Sequence, residues 1–145
     1  MIRKAQHSDS KTIAALAAKM WTSAIEDVLT EEFEDLLLNE DAAIFLYLAD
    51  GTAIGFAQCQ LRRDYVEGTE TCPVGYLEGV FVESDYRRQG YGRKLVDAFV
   101  DWAKSKGCTE FASDCELHNI DSQAFHLHSG FCEANRIICF TKKIG

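Results

Sequence analysis

Six consecutive residues, Arg87-Arg88-Gln89-Gly90-Tyr91-Gly92, stand between a β-patterned run and a helical one. A helix N-terminus offers backbone N–H groups with no intrahelical partner and the positive end of the helix dipole, and both favour an anion. Glycine lets that backbone approach a bulky phosphate, and the arginines add positive charge. The segment has neither the Gly-x-Gly-x-x-Gly spacing of a dinucleotide site nor the Gly-Lys-Ser/Thr of a Walker loop. On spacing alone it fits either an anion cradle or a glycine-rich turn carrying two surface arginines. The six cysteines, at 59, 72, 108, 115, 132 and 139, include no Cys-x-x-Cys pair. Cys115 and His118 have a metal-like spacing, but no second pair completes a site. His126 and His128, two apart on a helix, point in different directions. No metal is expected, and the thiols read as small, reduced, buried hydrophobes.

Around this basic island the chain is acidic. Its 145 residues hold 15 Lys and Arg against 23 Asp and Glu, a net charge of −8. Phosphate backbones repel such a chain, so nucleic acid is a poor partner, and the sign suits a cationic ligand. Residues 26–41 carry eight acids and no base, which on its own is the pattern of a solvated helix face. At 47% hydrophobic residues with one proline, the composition fits one globular domain over residues 1–145. The longest apolar run, Ala42 to Ala49, is too short to span a membrane. The N-terminus lacks the apolar stretch of a signal peptide, so a cytoplasmic protein without membrane contact is expected.

Hydrophobic period gives the elements that must position the junction. Met1 to Ala5 reads as a strand. Ser8 or Asp9 caps a helix carrying Ile13, Leu16, Ala17 and Met20 on one face. Thr30 followed by Glu31 and Glu32 marks a second helix start, with Phe33, Leu36 and Leu37 as its apolar face. Ile44 to Ala49, the Asp50-Gly51 turn, Ala53 to Arg62 and Val74 to Glu83 form a three-strand meander. The period then changes to 3.6 from Gly90 to Lys106, and Gly107 stops that helix. A short strand centred on Phe111 and ending near Asp114, a helix from Ser122 to Ser129, and a strand from Arg136 to Lys143 complete the chain. The order is mixed α/β, not the regular alternation of a doubly wound sheet.

Arg-x-x-Gly-x-Gly after Leu77-Glu78-Gly79-Val80-Phe81-Val82 resembles the acyl-CoA motif of the GCN5-related N-acetyltransferases (GNAT). Asn119 and Ala124-Phe125-His126-Leu127-His128-Ser129-Gly130-Phe131 resemble that superfamily's second CoA-contacting segment. A narrower resemblance, to the aminoglycoside 6′-N-acetyltransferases, rests on less common residues between about 64 and 143. These are Asp64-Tyr65-Val66-Glu67-Gly68, Pro73-Val74, Leu77-Glu78-Gly79, Glu110-Phe111-Ala112-Ser113-Asp114, and Ser122-Gln123 with His126. The resemblance implies a mostly antiparallel central sheet with a splayed strand pair and flanking helices. It implies acetyl-CoA as cosubstrate and the 6′-amine of an aminoglycoside antibiotic as acceptor, hence a resistance enzyme. Dimers are common in this branch, so a homodimer is expected.

By the same resemblance, the acetyl-pantetheine arm pairs with main-chain groups of Val80, Phe81 and Val82, and Asn119 bonds it. The pyrophosphate sits on the backbone from Arg87 and Arg88 through Gln89, Gly90, Tyr91 and Gly92 to Arg93. A backbone N–H near Val82 is placed to donate to the developing oxyanion. Glu78 is the candidate base, acting through water, or else a ligand for the substrate ammonium. His126 stands where the superfamily often has a tyrosine that protonates the departing thiolate; it is such an acid or a structural residue. Asp114 is a candidate ammonium-binding carboxylate, and Tyr65 lines the cleft. The rival expectations are an acetyltransferase for polyamines or protein amino groups, and a non-catalytic acyl-CoA-binding domain.

Overall fold

The computed structural model describes residues 1–145. Five strands form one sheet in the order of the chain: β1 (Ile2–Lys4), β2 (Ala42–Ala49), β3 (Thr52–Arg62), β4 (Val74–Val82) and β5 (Phe111–Ser113). Every neighbouring pair is antiparallel except β4 and β5, which run parallel. Four helices flank it: α1 (Ser10–Met20), α2 (Glu26–Leu37), α3 (Tyr91–Ser105) and α4 (Ile120–His128).

Strand alternation sends successive side chains to opposite faces, and each face has its own core. Ile13, Leu16 and Ala17 of α1 and Leu29 and Phe33 of α2 pack on Ile44, Leu46, Phe56 and Phe81. On the other face Leu95, Val96, Phe99, Trp102 and Ala103 of α3 pack on Ala43, Ala57, Cys59, Leu61 and Leu77. Gly75 makes the α3 packing close, since a Cβ there would lie 2.7 Å from Ala103 Cβ.

Four expectations change. Of the six cysteines only Cys59 and Cys108 are buried; Cys72, Cys115, Cys132 and Cys139 lie in loops and in the C-terminal segment and are exposed. The second helix begins at Glu26, not at Thr30; Thr30 sits inside it, its hydroxyl donating to the Glu26 carbonyl at 2.9 Å. The last helix begins at Ile120 because the Asn119 side chain accepts from Ser122 N–H and caps it. Residues 136–143 form no strand. A strand needs a hydrogen-bonded neighbour, and this segment lies exposed along its length, with Ile137, Ile138 and Phe140 at 69%, 80% and 87% exposure.

Candidate active site

The site begins with a bulge. Gln58 pairs with Gly79 and Cys59 with Leu77, so Glu78 has no partner on β3. An extra residue of this kind bends its strand and re-aims its side chain. On the other side, β5 pairs only with Gly75, Tyr76 and Leu77. Beyond Leu77 the edge of β4 is therefore open. Glu83 N–H donates to the Ile54 carbonyl at 2.8 Å, so Val82 opposite Gly55 is a non-hydrogen-bonded pair, whose peptide groups point away from β3. Val80 shares that orientation. Phe81 alternates with them: its main chain turns to β3 and its ring enters the core of the α1–α2 face. Of the three residues expected to line the gap with main chain, two do. The Val82 carbonyl is already taken by Arg87 Nε at 2.8 Å.

At the far end of this gap lies the α3 N-terminus. Arg88 and Gly90 both adopt left-handed backbone, φ 64° and 83°, and no side chain caps the helix. The N–H groups of Tyr91, Gly92 and Arg93 are thus left to an outside acceptor. Tyr91 is fixed by the Tyr47 ring, with centroids 4.4 Å apart. Arg87, Arg88, Gln89 and Arg93 are exposed around it. The two glycines differ in purpose. Gly90 has open space where a Cβ would stand, whereas a Cβ on Gly92 would meet Phe125 Cε1 at 2.8 Å. Gly92 therefore lets α4 approach α3, and it is Gly90 that gives the turn its conformation.

α4 is tied to the sheet where β4 and β5 part. Ser113 Oγ lies 3.0 Å from the Leu77 carbonyl and 2.7 Å from His126 Nε2, and His126 Nδ1 lies 2.7 Å from the Ser122 carbonyl. A carbonyl only accepts, so Nδ1 carries a proton, and both ring nitrogens are engaged.

On the α1–α2 face a chain of polar contacts crosses the bulge. Arg62 Nη2 donates to both carboxylate oxygens of Glu78, and Arg62 Cζ lies 3.4 Å from the centre of the Tyr76 ring. The Tyr76 hydroxyl donates to Asp114. Burial first, then the Asp114 carboxylate, push the Tyr76 phenol well above its ordinary range. Glu78 and Asp114 thus share one surface but neither is a bare carboxylate. Tyr65, 79% exposed, bonds Glu67 at 3.0 Å from a loop over the same face. Glu110 pins that loop by accepting from the Thr71 hydroxyl and the Glu70 and Thr71 N–H groups, which holds its carboxyl below the usual range. Beside Gly79, a pocket of about 270 Å³ is lined by Trp21, Ala24, Leu29, Glu32, Phe33, Leu36 and Gln58; the Gln58 Oε1 is buried there without a partner. A wider groove of about 480 Å³ between β1 and α3 contains none of the expected site residues. No three His, Cys, Asp or Glu side chains gather in a way that would hold a metal ion, and no helix is long and apolar enough to cross a membrane.

Residues 11–131 match the model of the acetyltransferase (GNAT) family. The chain belongs to this family. Among curated relatives of this GNAT domain, the aminoglycoside N(6′)-acetyltransferase type 1 of Stenotrophomonas maltophilia is 40% identical, over 96% of this chain and 90% of its own. That of Serratia marcescens is 35% identical, over all of both chains. The solved structure of AAC(6′)-Iy with the bisubstrate analog CoA-S-monomethyl-acetylneamine superposes with a TM-score of 0.94 at 35% identity, covering 99% of this chain and 98% of that one.

The fold of this GNAT domain thus brings Glu78, Val80, Val82, Asp114 and His126 to the parting of β4 and β5, with the Arg87–Arg93 turn at its end. Asn119 is committed through Oδ1 to capping α4, which leaves its amide nitrogen for other partners. Sequence reading missed Arg62, Tyr76 and Ser113. A register of β3 against β4 and of β4 against β5 would have found them, because it sets Arg62 opposite Val74, on the same face as Tyr76, and Ser113 opposite Leu77.

Proposed function

We propose that this GNAT enzyme transfers the acetyl group of acetyl-CoA to the 6′-amine of aminoglycosides, as a single domain over residues 1–145. The observation that carries the reading is the open edge of β4. It has main-chain groups of Val80 and Val82 on one side and the Glu78–Arg62–Tyr76–Asp114 chain on the other. Full-length relatives at 35–40% identity named for that reaction support it, as does a neighbour solved with a CoA–aminoglycoside analog.

Acetyl-CoA supplies an activated acetyl thioester. The uncapped α3 N-terminus and its two left-handed residues form a concave set of donors suited to a pyrophosphate. Val82 N–H, fixed by the β3 ladder and aimed into the gap, donates where negative charge develops. Glu78, set at the bulge between gap and acceptor face, takes the amine proton through water. Asp114 holds a second ammonium, and Tyr65 lines the acceptor side. His126 has both nitrogens engaged, which favours holding α4 against β5 over protonating the thiolate. Ile137, Ile138, Phe140 and Ile144, exposed at 69–96%, form an apolar segment that its own chain does not cover. We therefore place a homodimer partner there. The six unpaired cysteines suit the reducing cytoplasm.

Thiol release from acetyl-CoA tests the reading with kanamycin, tobramycin, neomycin, paromomycin, spermidine and a basic peptide. Neomycin, which has a 6′-amine, is expected to react, and paromomycin, with a hydroxyl there, to fail at that position. Equal turnover of the two moves the reaction to another amine. A preference for spermidine or the peptide reassigns the acceptor, and no thiol release with any amine leaves only acyl-CoA binding.

A further inference from the structure

We infer that Arg62 is a built-in competitor for the acceptor's ammonium, occupying Glu78 until the acceptor displaces it, and so raising the KM of every amine that binds there. The inference rests on the reading that Glu78 receives the reacting amine. The guanidinium spans both oxygens of Glu78, the longer contact being 2.9 Å, where an incoming ammonium has to bond. Tethered to the end of β3, it is present at an effective concentration of at least about the millimolar order, so a free amine competes with it from the start.

The contact is also built to release. The Arg62 side chain is 42% exposed while that of Glu78 is 16% exposed, and a half-solvated ion pair contributes little net stability. Arg62 keeps a second attachment when it lets go, because its Cζ stacks 3.4 Å from the centre of the Tyr76 ring. Tyr76 in turn donates to Asp114. Each amine that displaces it trades one cation for another at Glu78, so all are taxed by the same factor; a ligand with several ammoniums offsets that cost through Asp114 and through Glu32, which lines the pocket beside Gly79.

Acetylation of kanamycin and of a single-amine sugar, 6-amino-6-deoxyglucose, tests this in Arg62→Gln, Arg62→Lys and Arg62→Met. Met retains an unbranched stem against Tyr76 and repeats the test should Gln not fold. For Gln and Met, the KM of both amines is expected to fall by the same factor, about two- to fivefold, the scale of a partly exposed ion pair. Lys keeps the cation and should hold the wild-type KM values. In a Glu78→Gln background the Arg62→Gln effect should vanish. A rise in both KM values for Arg62→Gln, or an equal fall with and without Glu78, overturns the proposal: Arg62 would then hold Glu78 in place or touch the acceptor itself. Glu78→Gln alone separates the two readings. If it leaves both amines' kcat and KM unchanged, the role of Glu78 falls and this inference with it. If it is impaired while Arg62→Gln raises KM, only this inference falls.

Discussion

Glu78 and Asp114 lie on one surface, and we propose different roles for them. Glu78 is the unpaired residue of the bulge, next to the edge where Val80 and Val82 turn their peptides outward. Glu78→Gln keeps the shape and can still accept from Arg62, but it cannot hold a proton from the amine. Its kcat is expected to fall by about 10² or more, the scale of a lost general base, with a flattened acid limb of the rate profile. Wild-type kcat in that variant would leave proton removal to solvent. Asp114 is exposed and accepts from Tyr76, and Asn preserves that hydrogen bond through its carbonyl oxygen. Asp114→Asn should therefore raise acceptor KM by at most about tenfold, with a smaller change in kcat. The placement of both carboxylates, Glu78 on β4 and Asp114 just past β5, was legible from strand position. Their partners were not, because Arg62 meets Glu78 through a cross-strand register that no spacing along the chain encodes.

At the scale of elements, the glycines of the junction separate two functions that the sequence presents as one. Gly90 sits at φ 83° with open space around it; Gly92 faces Phe125 across 2.8 Å. Gly92→Ala overpacks the α3–α4 contact and should cost about 1–3 kcal/mol in urea denaturation. Gly90→Ala strains the turn by about 1–2 kcal/mol and disturbs the donors themselves. Acetyl-CoA KM should rise in both, whereas only the Gly92 variant should loosen α4 in hydrogen exchange. Protected α4 amides in Gly92→Ala would mean that the Phe125 ring moves aside freely. The loop bearing Tyr65 depends on Glu110 in the same local way. Its carboxyl titrates below the usual range in the folded chain because hydroxyl and amide donors stabilise the charge. The anchor is therefore fully present above the unfolded carboxylate pKa and is lost as pH falls through the lower folded value. Glu110→Ala should speed exchange at the Glu70 and Thr71 amides at neutral pH, and unchanged protection there would place the anchor elsewhere. Periodicity located every helix, yet it set α2 four residues late. The reason is physical: acids suit a first turn wherever they stand, and Glu26 and Asp27 occupy it before Glu31 and Glu32 do.

The whole molecule adds what single sites cannot. A net charge of −8 draws a polycation from beyond contact distance, and salt screens that attraction over about 8 Å at physiological ionic strength. Acceptor KM should climb with added salt more steeply than acetyl-CoA KM, and a flat response for tobramycin would remove the electrostatic argument. The β-branched and aromatic residues of 136–143 have the propensity of a strand, yet the segment forms none. What one chain lacks is somewhere to put it. Phe131, Ala134 and Asn135 tie the tail back, Phe131 against the His126 ring 5.4 Å away, Ala134 against Gly68 and Asn135 to Glu67 at 3.0 Å; beyond them Ile137, Ile138 and Phe140 face solvent. We propose that a second copy covers it, since a symmetric arrangement would bury both tails at once. Sedimentation of the wild-type chain should give twice 16.3 kDa. Phe140→Asp, which places a charge in that contact, should shift the mass toward one chain and lower the thermal midpoint in a concentration-dependent way. A wild-type chain that sediments as a monomer at every concentration would leave the tail without a partner, and the homodimer would have to be abandoned.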